Sequence, residues 1–172
     1  RLAPFSATWD RDQVFPAEAL RELGKLGAMC MVIPERWGGA GMDYMSLTLT
    51  LEEIAAGDGA TSSIVSVHNS LVCGILEKYG TDAQKEEWLS SLARGDKLGC
   101  FCLTEPHTGS DASAIITRAD GDGDHFVLNG TKQFITTGMH AQVAIVFAVT
   151  DKMAGKKGIS CFLVPTATPG FV

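Results

Sequence analysis

Apolar positions recur at helical spacing through the first half of the chain and fall into short extended runs through the second. Pro16 suits a first helical turn, Leu20, Leu23 and Leu26 form the stripe that follows, and Gly27 closes it. Pro34 and the cluster Gly38-Gly39-Ala40-Gly41 predict a loop, and Asp43 is placed to cap the next helix. That helix carries Leu47, Leu51, Ile54 and Ala55 on one stripe and ends near Gly57-Asp58-Gly59. The run Leu47-Thr48-Leu49-Thr50-Leu51 also alternates like a strand, but Glu52 to Ala56 extends it with good helix formers, which decides for helix. Residues 62–78 predict a third helix, bearing His68 and Asn69 and apolar on most faces, as a helix packed among others must be. Thr81 and Gln84 stand at capping-box spacing, opening a helix that carries Trp88, Leu89 and Leu92 toward Gly95.

After Gly95-Asp96 the periodicity shortens. Strands are predicted over 99–104, 114–119, 125–129, 132–136, 141–150 and 158–165, with turns at Asp120-Gly121-Asp122-Gly123-Asp124 and Asn129-Gly130. Helices followed by a block of strands imply an α+β chain: an N-terminal all-α helical domain over residues 1–97, then an antiparallel β domain over residues 98–172.

The composition narrows the possible partners. With 14 Lys and Arg against 20 Asp and Glu, the net charge is −6, and no basic cluster interrupts the chain, so nucleic acid is not an expected partner. The apolar stretches are broken by Ser, Gly, His or charge, so no membrane span is expected. The five cysteines, Cys30, Cys73, Cys100, Cys102 and Cys161, form no CxxC pair and have no His at metal-ligand spacing. The reading is free thiols in a reducing compartment with no metal, and Cys100 and Cys102, two apart in an apolar run, share one strand face. The chain opens on Arg1-Leu2-Ala3-Pro4 and stops at Gly170-Phe171-Val172 within a strand-like run, so both ends are expected to be cuts in a longer chain.

Two stretches could carry chemistry. Phe101-Cys102-Leu103-Thr104-Glu105-Pro106-His107-Thr108-Gly109-Ser110-Asp111 is a strand ending in a Gly-containing turn rich in small hydroxyl residues. Such a turn can present amides and hydroxyls to a phosphate or a polar ring edge, although the same composition also serves as a plain turn. Gly130-Thr131-Lys132-Gln133-Phe134-Ile135-Thr136-Thr137 sets an aromatic beside β-branched residues, a flat surface for a conjugated ring. The alternative is a hairpin strand with Phe134 or Ile135 in the core.

Taken together these stretches resemble the acyl-CoA dehydrogenase family, whose flavin-binding segment runs aromatic-x-x-Thr-Glu-Pro into Gly-Ser-Asp, followed at a comparable separation by Gly-x-Lys-aromatic-Ile-Thr. Pro34-Glu35-Arg36-Trp37-Gly38-Gly39-Ala40-Gly41 is similar to its early loop, and Lys157-Gly158-Ile159-Ser160-Cys161-Phe162-Leu163-Val164-Pro165 to a later β-domain strand. The resemblance covers essentially the whole chain and less than half of a family member, and it points in particular to the short-chain (butyryl-CoA) branch. It implies FAD as cofactor, with Phe101, Leu103 and Thr104 against the isoalloxazine and Gly109 and Ser110 near the pyrophosphate. Ser110 would also line the acyl-CoA entrance, as Leu71 to Ile75 could line the acyl path. Phe134, Ile135 and Thr136 would flank the other part of the ring, with Thr136 near N5.

The resemblance also implies an activity: oxidation of a short or medium acyl-CoA to the trans-2-enoyl-CoA, electrons passing to an electron-transferring flavoprotein, in a homotetramer that belongs to fatty acid β-oxidation. The family's catalytic glutamate comes from a C-terminal helical domain outside this chain, so no catalytic residue is assigned here. Glu105 and Asp111 are expected to orient the turn through backbone hydrogen bonds, and His107 receives no role. Two departures stand out: the family usually has Trp where Phe134 stands and Asn where Thr137 stands. An acyl-CoA oxidase or flavin monooxygenase of the same fold, or a non-catalytic piece, are the alternatives. A bacterial cytoplasm is the expected compartment, with the mitochondrial matrix as alternative.

Overall fold

The helices of the first half begin where side chains satisfy their free amides. In the computed structural model, which describes residues 2–172, Asp43 accepts from Ser46 N at the start of α3 (Tyr44–Gly57). Asp58 accepts from Thr61 N at the start of α4 (Gly59–Val67). Thr81 and Gln84 close a reciprocal capping box ahead of α6 (Asp82–Ala93). Before these come α1 (Ala3–Asp12) and α2 (Ala17–Lys25). The sequence reading missed α1, for a physical reason. It buries no residue, so it has no apolar stripe, and its local support is the Phe5–Trp9 stack with ring centroids 5.7 Å apart.

The third predicted helix is continuous from Gly59 to Tyr79, but not α-helical throughout. After α4 the segment His68–Cys73 winds as a π-helix before α5 (Gly74–Tyr79) resumes the regular turn. This 21-residue helix has a mean hydropathy of 1.2, long and apolar enough by length and composition to cross a membrane, where the sequence reading had expected no such segment. Half of it is buried within the protein, and its buried set includes Thr61, Ser62, His68 and Asn69, the pattern of a central core helix.

Asn69 organises the packing around this helix. Its Oδ1 accepts from Met31 N at 2.7 Å, and its Nδ2 donates to Ala28 O and Val65 O, both at 2.9 Å. A fully buried amide satisfied on both ends fixes the loop after α2 against the helix. Around it Leu20, Met29, Ile54, Ile64, Val65 and Leu98 form one apolar cluster. Fully buried Leu89 and Leu92 hold α6 in the core, each contributing about 2 kcal/mol by removal from water.

The chain divides into two compact units, the first ending at Gly99 and the second running from Cys100 to Val172. The second is built on a five-stranded sheet: β1 (Gly99–Cys102), β2 (Arg118–Asp122), β3 (His125–Asn129), β4 (Val143–Val149) and β5 (Ile159–Pro165). β4 is apolar at every position, pairs with β5 along its full length from Val143↔Pro165 to Val149↔Ile159, and buries most of its residues. β2 and β3 form an antiparallel hairpin turned at Gly123-Asp124. Cys100 and Cys102 lie on one buried face of β1, Sγ–Sγ 3.6 Å.

Three strand expectations need correction. The sheet is mixed, not purely antiparallel, because β2 meets β4 in parallel at Arg118↔Val149. Residues 132–136 form no strand: Phe134 adopts a left-handed backbone, φ 58°, which breaks the extended alternation. The predicted strand at 114–119 likewise starts later, at Arg118, because Asp111 caps a short 3-10 turn over Ala112–Ala114.

Asp58 joins two structural duties, since its Oδ2 receives Thr61 N at 2.7 Å while its Oδ1 accepts from Ser6 on α1. Asp58→Ala should therefore cost about 1–2 kcal/mol, the upper part of the range for a lost N-cap. A urea unfolding midpoint equal to that of the parent would remove the capping role.

Candidate functional site

In the second unit, one carboxylate ties together the segments that the sequence singles out. Glu105 follows β1 and is 3% exposed. Its Oε2 accepts from Ile116 N at 2.7 Å, and its Oε1 accepts from Thr117 N at 2.9 Å and from Lys132 Nζ at 2.8 Å. The same Lys132 ammonium donates to Leu103 O at 3.0 Å. A further backbone bond, Gln133 N to Thr104 O at 2.8 Å, runs beside this ion pair. The stretches 101–111 and 130–137, about 30 residues apart in sequence, are thus clamped side by side. Burial alone would push the Glu105 carboxyl up, but the hydrogen bonds from Lys132, Thr117 and Ile116 outweigh it and hold the group at about 2.

The turn between Glu105 and Asp111 closes on itself. Glu105 and Thr108 exchange both backbone bonds, at 2.9 and 3.1 Å, across Pro106-His107. The Thr108 hydroxyl donates to Asp111 O at 2.6 Å, and Asp111 Oδ1 accepts from Ser113 N at 3.2 Å. Both carboxylates are therefore engaged in shaping the loop through backbone amides. Half-exposed His107 lies 3.1 Å from Ala114 O through its Nε2.

The glycines of this region answer to two different demands. A Cβ on Gly130 would stand 2.2 Å from Thr117 Oγ1 and 2.7 Å from Thr117 Cα, so only glycine allows the two strands' ends to approach. A Cβ on Gly109 would meet Thr104 Cγ2 at an ordinary 3.5 Å, so the fold itself does not require glycine there. Glycine leaves the backbone bare beside Thr104, which suits a ligand that comes close to backbone.

The other half of the surface is aromatic. Phe134 is 85% exposed and held at φ 58°, a left-handed conformation that costs of order 1–2 kcal/mol for a residue with a Cβ. Thr137 repeats this at φ 68°, and the turn it forms is closed by Gly138 N to Ile135 O at 3.0 Å and His140 N to Thr137 O at 2.9 Å. Ile135 packs against the core cluster of Cys100, Cys102, Ala141, Ala144 and Val146. Of the two alternatives for this stretch, Ile135 is thus inward and Phe134 outward. Phe101 packs edge-on to Phe147, ring centroids 5.2 Å apart, while Ser110 is exposed. Exposed aromatic surface and a bare glycine backbone, both on segments that hydrogen bonds pin, fit a cofactor with a conjugated ring and a polar tail. A separate open groove of about 600 Å³, bordered by Pro106, His107, Arg118 and Thr131, contains none of the residues expected to hold flavin.

Residues 1–96 match the family of the acyl-CoA dehydrogenase N-terminal domain, and residues 100–172 that of the acyl-CoA dehydrogenase middle domain. The chain belongs to the acyl-CoA dehydrogenase family. It is 47% identical to the mitochondrial short-chain specific acyl-CoA dehydrogenase of Homo sapiens, over 98% of this chain and 41% of that protein. It is similar to the butyryl-CoA dehydrogenase of Megasphaera elsdenii, TM-score 0.93 and 40% identity, over 98% of this chain and 45% of that one. It is also similar to a glutaryl-CoA dehydrogenase of Mycobacterium smegmatis determined with FADH2, TM-score 0.92 and 45% identity, over 99% and 42% of the two chains. The chain therefore spans less than half the length of these relatives.

Lys132 is the residue that sequence reasoning passed over. Its signal was a single cation inside a strand-like run, which would need a carboxylate partner if buried. The partner, Glu105, was read correctly as a residue that orients its turn, but its reach to Lys132 needs the fold.

Two outcomes follow from this geometry. Because the folded Glu105 carboxyl, at about 2, lies below its ordinary 4.5, its contribution to stability is full above pH 4.5 and is lost as pH falls through 2. The full contribution is about 3 kcal/mol. Melting temperature against pH should fall more steeply below pH 4.5 in the parent than in Glu105→Gln; equal slopes would assign the acid sensitivity elsewhere. Thr137→Asn should stabilise by about 1 kcal/mol, because Asn tolerates the left-handed backbone that a β-branched residue resists. An unchanged or lower unfolding midpoint would count against strain at Thr137.

Proposed function

We propose that the protein to which this chain belongs is an FAD-dependent acyl-CoA dehydrogenase that converts a short or medium acyl-CoA to the trans-2-enoyl-CoA. The observation that carries this reading is the Glu105–Lys132 clamp, which sets the turn 104–110 beside the exposed Phe134 in a chain matching both acyl-CoA dehydrogenase domain families.

FAD, when bound, supplies the acceptor for the hydride that leaves the substrate. The residues of this chain would bind and orient it. Phe101, Leu103 and Thr104 would border the isoalloxazine, Gly109 and Ser110 would let the pyrophosphate approach the backbone, and Phe134, Ile135 and Thr136 would border the other part of the ring. Phe134 offers an aromatic face without the indole N–H of a tryptophan, so it can stack but not donate. Ile135 would contribute from the core side, by fixing the backbone that carries Phe134 and Thr136. Ser110 would also meet the acyl-CoA at its entrance. No residue here is assigned as the base that removes the substrate proton; that group would come from a part of the protein outside this chain. Positioning of cofactor against substrate is this chain's share of the catalysis.

Electrons would pass to an electron-transferring flavoprotein, and the intact enzyme would be a homotetramer. The relatives include mitochondrial and bacterial proteins, so a bacterial cytoplasm and the mitochondrial matrix both fit the reading.

Anaerobic addition of butyryl-CoA to the intact flavoprotein should bleach the oxidised flavin band. A yellow protein whose band stays unchanged would keep the flavin and remove the short-chain substrate, and a colourless protein that takes up no FAD would remove the reading altogether.

A further inference from the structure

In the helical unit, two thiols lie in contact. Cys30, in the loop after α2, and Cys73, at the end of the π-helical segment, are 1% and 0% exposed, and their sulfurs are 3.0 Å apart. They are 43 residues apart in sequence, and the contact follows from a rigid frame. Asn69 grips Ala28 O and Met31 N on either side of Cys30. Cys73 stands four residues after Asn69 on the same helix, so the amide that pins the loop also sets Cys30 against Cys73. A ring nitrogen of His68 lies within 4.8 Å of both sulfurs, and His68 Nε2 donates to Leu92 O at 3.1 Å.

Two cysteines and a histidine could be read as metal ligands, but the spacing of the sulfurs argues otherwise. Two thiolates on one tetrahedral zinc, with bonds of about 2.3 Å, stand roughly 3.7 Å apart. At 3.0 Å the sulfurs are too close to share an ion and only about 1 Å from bonding distance.

We propose that Cys30 and Cys73 are an oxidisable dithiol, which a hydroperoxide converts to a disulfide that locks the loop after α2 to the central helix. The steps balance. A thiol sulfur attacks the near oxygen of the hydroperoxide, the O–O bond breaks, and a sulfenic acid and an alcohol (water, for hydrogen peroxide) are produced. The second thiol attacks the sulfenic sulfur, the S–S bond forms and water leaves. The Cys73 thiol beside it, opposed by burial and helped by His68, holds the Cys30 thiol at about 6, while burial pushes that of Cys73 up. Whichever sulfur is oxidised first, the other is in contact with it and resolves it. Burial of both means that a small hydroperoxide such as hydrogen peroxide reaches them by local opening, whereas the much larger glutathione disulfide does not.

The test is peroxide treatment of the intact protein, alkylation after denaturation, and peptide mass mapping. The expected result is a Cys30–Cys73 cross-linked peptide, reversed by dithiothreitol and not produced by glutathione disulfide, with a raised melting temperature from the closed loop. Cys30→Ser and Cys73→Ser should each lose the cross-link. Recovery of both cysteines as separate alkylated peptides would overturn the proposal. So would one zinc per chain in the reduced protein, lost in Cys73→Ser, because the sulfurs would then be ligands.

Discussion

The second unit depends on a carboxylate that has been taken out of water. Leaving Glu105 buried alone would cost several kcal/mol, so its place in the fold is tenable only with two backbone amides and the Lys132 ammonium around it. The two amides belong to the consecutive residues Ile116 and Thr117 and the ammonium to a third stretch, so meeting the demand of one charged group fixes the relative position of three segments, its own included. The Gly-Ser-Asp turn, the entry to β2 and the loop around Phe134 all inherit their placement from it. Gly130 belongs to the same constraint, because the loop carrying Lys132 can pass Thr117 only where no Cβ intervenes.

A surface built in this way is ordered before any ligand arrives. The backbone at Leu103 and Thr104 is held by bonds to Lys132 and Gln133, and Phe134 is presented to solvent on a left-handed residue. Exposure of a large aromatic and a strained dihedral are both unfavourable within the chain itself, and their coincidence on one residue marks where the fold serves something other than its own stability. The same logic separates the glycines: Gly130 is required by packing, whereas at Gly109 the fold would accept a side chain.

The helical unit uses a neutral counterpart of the same device. Asn69 satisfies one amide and two carbonyls from the core of the central helix, and so fixes the loop on which Cys30 lies. The π-helical winding after Val67 occurs in the segment that contains His68, Asn69 and Cys73, so the polar and sulfur chemistry of this unit is concentrated on one stretch of the helix. Opposition of the two thiols is a product of that frame.

Local rules were legible from the sequence wherever they act over a few residues. Asp43, Thr81 and Gln84 cap helices as their spacing predicts, β3 occupies the residues expected of it, and the helical-then-strand texture announces an α+β chain. Motif resemblance identified the family, and with it the candidate flavin residues. What the sequence could not contain was anything that depends on residues meeting across long separations. α1 lacks a stripe because it buries nothing; the parallel β2–β4 contact is a matter of sheet order; residues 132–136 look extended until Glu105 claims Lys132 and Phe134 turns left-handed. The cysteines make the same point most sharply. Their spacing shows no pairing at all, and only tertiary structure, through Asn69, brings Cys30 and Cys73 together, because side-chain chemistry at a distance is set by the packing of elements and not by their order along the chain.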